Sequence, residues 1–151
     1  MKKSLTMTVC GTILVIMSGL AAAEFTKPKE AIHYRKAVMM IIGQHFGRIA
    51  AVIKGEIPYN KSKVEKDAAV IKAVAGLSWE AVMVPGSEKG DTTLNSSAMK
   101  AKDHFMDIAQ QFEDAAEKLA EAAKNGDLNA IKMQFTPVAM NCKMCHGAYR
   151  K

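Results

Sequence analysis

Apolar positions recur along most of this chain with the 3.6-residue period of a helix, and alternating apolar–polar runs are hard to find. The first long stripe follows Pro28, a residue suited to a first helical turn. It reads Ala31, Tyr34, Val38, Met39, Ile42, His45 with Phe46, Ile49 and Ile53, and stops at Gly55 with Pro58 just beyond. Some twenty-odd residues at 1.5 Å rise make a rod of about 35 Å, the proportions of a bundle helix. Asn60 can cap a second helix carrying Val64, Ala68, Ile71, Val74 and Leu77. From Ser78 to about Asn95 the period is lost. Pro85-Gly86 and Lys89-Gly90-Asp91 mark a long connection there, with Trp79 pinned at its start. A third helix is predicted from about Ser96, through Ala98, Lys102, Phe105, Ala109, Phe112, Ala116, Leu119 and Ala123. It ends at Asn125-Gly126, residues that accept the left-handed backbone of a helix C-terminus. Asp127 can cap a fourth, holding Leu128, Ile131, Phe135, Val138, Cys142, Cys145 and Tyr149, kinked or broken at Pro137. Short connections make neighbouring helices antiparallel, and one longer loop fits up-down-up-down order. The pattern predicts an all-α, antiparallel four-helix bundle.

The N-terminal segment stands outside this scheme. Lys2 and Lys3 form a positive start, residues 12–17 lie in an apolar run, and Gly19 to Ala23 supply small residues for cleavage. The run falls short of the ~20 residues that span a bilayer. Residues 1–23 read as an export signal removed after Ala23, taking Cys10 with it, and residues 24–151 as a single domain. The 128 residues left of 151 can bury roughly two-thirds of their unfolded surface. Loss of the two lysines lowers the formal charge from +6 to +4. That charge is spread over helical faces, without clustered arginines or interleaved aromatics, so no nucleic-acid partner is indicated. No other hydrophobic run looks long enough to cross a membrane. The mature product is expected to be soluble outside the cytoplasm.

Two cysteines survive processing, Cys142 and Cys145, too close in sequence for a disulfide that staples a domain. With His146 they form Cys142-Lys143-Met144-Cys145-His146, the C-x-x-C-H pattern of covalent haem attachment. The spacing suits the chemistry: two thiols add across the haem vinyl groups, and the adjacent imidazole reaches the iron as proximal ligand. A structural zinc site needs four ligands and would have to recruit His33, His45 or His104. A thiol redox pair belongs at the start of a helix that follows a strand. One covalent haem c per chain accounts for the motif better than either, and covalent attachment takes place outside the bacterial cytoplasm. Aromatic residues are few and alanine is abundant on the third helix, which leaves room for a cofactor.

The motif's position at the end of the last helix goes together with several other stretches. These are Tyr34-Arg35, Lys54-Gly55-Glu56-Ile57-Pro58-Tyr59, Leu77-Ser78-Trp79, and the tail from Cys142 through Arg150. Over essentially the whole mature chain this resembles the cytochrome c′ family. The resemblance implies a periplasmic bundle, often a homodimer, with haem c held between the helices. It implies a basic residue beside the proximal ligand, matched by Arg150. One helical turn from His146 puts both on one face, though a solvated terminal arginine is the alternative. It also implies that Arg35 meets a haem propionate, against an ordinary surface charge. At Met39 typical members carry an apolar side chain that leaves the iron open but crowded, whereas low-spin relatives carry an iron-bound methionine. Met39 can therefore ligate, crowd or simply pack.

Met40 should point away from that face. Met40, Ile41 and Val52 lie off the main stripe and suit dimerisation through the first helix. His45, about 9 Å from Met39 along the helix axis, reads as a satisfied core or surface histidine, and His33 and His104 as solvated. No polar donor surrounds Met39, so nitric oxide and carbon monoxide are better candidate ligands than dioxygen. The expected activity is one-electron transfer with redox partner proteins, with diatomic gas binding as the alternative. No general acid–base pair points to an enzyme.

Overall fold

The computed structural model describes Phe25 and residues 27 to 151; the expected export signal lies outside the described residues. Pro28 opens the longest helix, α1 (Pro28–Ile53), where its missing N–H breaks no helical bond. Asn60 caps α2 (Lys61–Val74) by accepting from the Lys63 N–H at 3.0 Å. Gly126, at φ +83°, ends α5 (Lys102–Asn125) in the left-handed region that a side chain resists. Asp127 then caps α6 (Leu128–Tyr149) by accepting from Asn129 N–H at 2.9 Å. Between α2 and α5 lie two single turns of helix, α3 (Trp79–Val82) and α4 (Ser97–Lys100).

The four long helices form the antiparallel bundle that the pattern predicts: α1 packs on α2, α2 on α5, and α5 on α6. Ile49, Val64, Ile71, Phe105, Leu119, Ile131 and Val138 are fully buried between them. Alanines on the inner face of α5, among them Ala109, Ala116 and Ala123, let its neighbours approach closely. The ring closes where Phe46 of α1 stacks on Phe135 of α6, centroids 4.2 Å apart and planes within 10°. Toward the other end of these two helices the space between them is a cavity.

One buried polar cluster pins α1 to α2. Asp67 is buried, and its Oδ1 lies 2.6 Å from His45 Nδ1 and 3.3 Å from Arg48. His45 is thus the satisfied histidine that its position suggested. Asp67→Ala would leave the His45 ring without its partner at the helix interface, an expected loss of about 1–3 kcal/mol on urea unfolding. A loss indistinguishable from zero would show the cluster to be incidental.

Several expectations are corrected. The third helix does not run unbroken from Ser96: Ala101 (φ −109°, ψ 46°) separates α4 from α5. The connection after α2 is not wholly irregular, since Trp79 buries its ring at the start of α3. Leu77 lies beyond α2 and is exposed. Helix α6 runs through Pro137 without a break, because the carbonyl deprived of a partner belongs to exposed Met133 on a solvent-facing side. Val52 belongs to the core, leaving only Met40 and Ile41 exposed among the three residues read as a dimer face. Finally, α1 is by length and composition apolar enough to cross a membrane; its inner stripe is nevertheless part of the bundle core.

Candidate haem site

The last turns of α6 bring Cys142, Cys145 and His146 to the wall of a cavity of about 240 Å³. Met39, Ile42 and Phe46 of α1 face them. Trp79, together with Ile108, Ala109 and Phe112 of α5, lines the rest. Asn141 is the other polar residue on this wall, and its amide N–H groups are turned to the carbonyls of Pro137 (3.0 Å) and Gln111 (3.4 Å). A second, more open cavity of about 980 Å³ shares Met39, Trp79, Cys145 and His146 with the first. Its wall carries His33, Arg35, Lys36 and Arg150, with Asp91 paired to Lys36 at 2.8 Å. The two together make an apolar slot that opens onto a mostly cationic rim.

Electrostatics separate the three readings of the motif. Burial pushes the Cys142 thiol pKa up, and burial followed by the neighbouring Cys142 pushes Cys145 up to about 11. A thiol redox pair needs the opposite shift, toward the thiolate. Burial, then the charge of Arg150, lowers the His146 pKa, which favours the neutral imidazole that a metal requires. Among the described residues no three His, Cys, Asp or Glu side chains gather closely enough to enclose a metal ion, as a structural zinc site would require.

Met39 is half-buried and lines both cavities; Met40, one residue on, is 63 % exposed but also lines the open cavity, so it is not turned wholly away from Met39's face as expected. Arg35 is buried, not a surface charge. It donates to Ala81 O (3.2 Å), Ser87 O and Thr92 Oγ1 (2.5 Å) and lines the open cavity. Burial lowers its pKa, partly offset by Glu88. The Arg150 side chain is exposed, and its backbone is not frayed: it bridges to Leu94, and Nε donates to Thr93 Oγ1 at 3.3 Å. His33 and His104 are exposed as expected.

The residue that the pattern undervalued is Trp79. It forms a wall of both cavities, donates Nε1–H to Glu113 at 2.7 Å, and meets Phe105 and Phe112 edge-on. A lone tryptophan beside a C-x-x-C-H chain was the available signal.

Residues 30–150 match the family described as Cytochrome C′. The chain is 37% identical over 128 residues to cytochrome c′ of Alcaligenes xylosoxydans xylosoxydans, covering 85% of this chain and 98% of that one. The chain belongs to the cytochrome c′ family. The solved cytochrome c prime from Shewanella frigidimarina superposes with TM-score 0.81 at 35% identity, over 84% of this chain and 98% of its own. A nitric oxide complex of a variant of the Alcaligenes xylosoxidans protein superposes at 0.78 with 36% identity, over 85% and 98%. Cytochromes c′ bind haem c, and the residues here fit that group. Paired thiols and an imidazole stand on one wall of an apolar slot, and cationic groups stand at its open side. Two buried polar atoms of the cavity-lining residues, Asn141 Oδ1 and Tyr149 Oη, have no hydrogen-bond partner among the described residues.

Proposed function

We propose that this cytochrome c′ is a periplasmic one-electron carrier with a single haem c, attached through Cys142 and Cys145 and ligated by His146 and Met39. The observation that carries the reading is that Met39 and His146 stand on facing helices and line the same two cavities. Haem c supplies a one-electron iron couple and, where a coordination position is open, a site for diatomic gases.

The chain's own residues do the rest. The cysteine pair fixes the group's position, and neutral His146 offers a nitrogen lone pair to iron. Met39 offers a soft thioether that favours the reduced state. Ile42, Phe46 and Phe112 keep water from the slot, which limits the reorganisation that accompanies each electron. Arg35 and Arg150 line the open cavity, where they would neutralise carboxylates of a bound porphyrin. Export through residues 1–23 delivers the chain to the compartment where thioethers form. Redox proteins are its partners, it works as a homodimer, and it turns over no substrate.

A second reading has one observation in its favour, the nitric oxide complex of the Alcaligenes relative. In it Met39 crowds the slot without binding, and the open position takes nitric oxide or carbon monoxide. Among the described residues of the slot, the Trp79 N–H is given to Glu113 and the Asn141 amide to Pro137 and Gln111, so neither is free for dioxygen. The absorption spectrum of exported, purified protein separates the readings. Sharp low-spin bands with a methionine-to-iron charge-transfer feature are expected. Broad high-spin bands would favour the gas-binding reading, and a colourless protein with free thiols would end both.

A further inference from the structure

We propose that Asn95 and Ser97 form a clasp that sets the orientation of the His146 imidazole, which makes Asn95 a positioning residue. The inference rests on the reading of His146 as the iron ligand. A helix leaves its last four carbonyls without partners in the helix itself, and its final turn tends to fray. In α6 that turn is His146 to Tyr149, so the ligand sits where a helix is least rigid.

Here the turn is held from outside. Asn95 Nδ2 donates to Ala148 O at 3.3 Å, and the Ser97 hydroxyl, whose single proton is shared with Asn95 Oδ1, lies 3.2 Å from the same oxygen. The Asn95 backbone N–H donates to Tyr149 O at 2.9 Å, and Lys151 N–H donates to Thr93 O at 2.7 Å. Asn95 is itself fixed, because its Oδ1 accepts the Ser97 N–H at 2.8 Å. The segment is fastened in turn to α1. Thr92 Oγ1 accepts from Leu94 N–H (3.1 Å) and from the buried Arg35 guanidinium (2.5 Å).

A run of short links therefore joins the helix that carries Met39 to the turn that carries His146. With its nitrogen held by a metal, the imidazole's two side-chain torsions would no longer turn independently, so the ring plane would follow the backbone. Loosening the carbonyls two and three residues beyond it frees that backbone, and the plane of a metal-bound ring would turn with it.

Asn95→Ala tests this through a signal that scaffold stability alone does not move. In the ferric protein the hyperfine-shifted proton resonances of the haem methyls and the His146 ring report the orientation of the imidazole plane, whatever the sixth ligand. We expect the methyl spread to change, and amide exchange at Arg150 and Lys151 to quicken by about fivefold, the scale of one lost hydrogen bond. Wild-type resonances in a variant that carries full haem would overturn the clasp while leaving the haem reading intact. Colourless wild-type protein with free thiols would sink the reading and the clasp together. If Asn95→Ala does not fold, Ser97→Ala removes the hydroxyl shared between Asn95 Oδ1 and Ala148 O and leaves the Asn95 amide in place; it should still shift the same resonances, and unshifted resonances there overturn the proposal.

Discussion

Replacing Cys142 and Cys145 together by serine is expected to give a protein with the mass of the bare polypeptide, no haem stain, and a broad, weakly cooperative thermal transition. Both side chains lie on the wall of the 240 Å³ cavity, and α1 and α6 face each other across it. Left without a haem, the apolar wall of that partly open cavity would face water, a cost of roughly 3 kcal/mol at about 25 cal/mol per Å². Domains of this size hold only about 5–15 kcal/mol in total. The two helices would instead close in and lose their packing, since the Phe46–Phe135 stack fixes them at one end only. The α2–α5 interface, filled by Ile71, Ala116 and Leu119, does not depend on the slot. Helix content by far-UV circular dichroism should therefore fall less than the calorimetric enthalpy. A sharp, native-like melt in the double variant would show that the bundle stands without its cofactor.

What could be read from the sequence was whatever is local or periodic. The stripes of α1, α2 and α6 recur at helical spacing, and the caps at Asn60, Asp127 and Gly126 act within four residues. The cysteines and histidine are adjacent, so their chemistry was legible before their geometry was. Long-range ties left no such trace. Arg35 finds its partners 46 to 57 residues away, in a segment with no period at all. Asn95 reaches across 53 residues to the end of α6. Helices α3 and α4 are single turns, too short for a 3.6-residue repeat to register, and packing forms them where propensity does not. Pro137 does not break α6, because the carbonyl it leaves without a partner is on exposed Met133, and burial on α6 depends on its neighbours.

Those long-range ties bear on how the site works, because they separate two roles that the motif merges. The motif brings reactive atoms to one wall; the connection between α2 and α5 decides how firmly that wall is held. Residues 81, 87 and 92 are gathered around the Arg35 guanidinium, which remains charged despite burial. An arginine so engaged is a structural post as well as a candidate partner for a carboxylate. Its removal would loosen the connection in addition to any effect on a bound porphyrin. For this reason a variant of Arg35 is a poor probe of the haem edge, and the residues of the slot itself are better ones.

Met39 is the most informative of these. If its sulfur closes the sixth position, Met39→Ala is expected to convert sharp low-spin bands into broad high-spin ones and to lower the reduction potential, since a ligand that favours ferrous iron is gone. Carbon monoxide should then bind more tightly by on the order of 10–100-fold, if the methionine had left only about 1–10% of molecules open. Met39→Leu separates ligation from crowding, because leucine keeps much of the bulk and none of the sulfur. Under ligation both variants are high-spin, and leucine differs only in admitting gas more slowly. Under crowding the wild type is already high-spin, leucine resembles it, and only alanine speeds gas entry. Dioxygen should gain least in every case, because Ile42, Phe46 and Phe112 surround the vacated space and none can donate a hydrogen bond. A low-spin spectrum that survives in both variants would remove Met39 from the coordination sphere and require another sixth ligand.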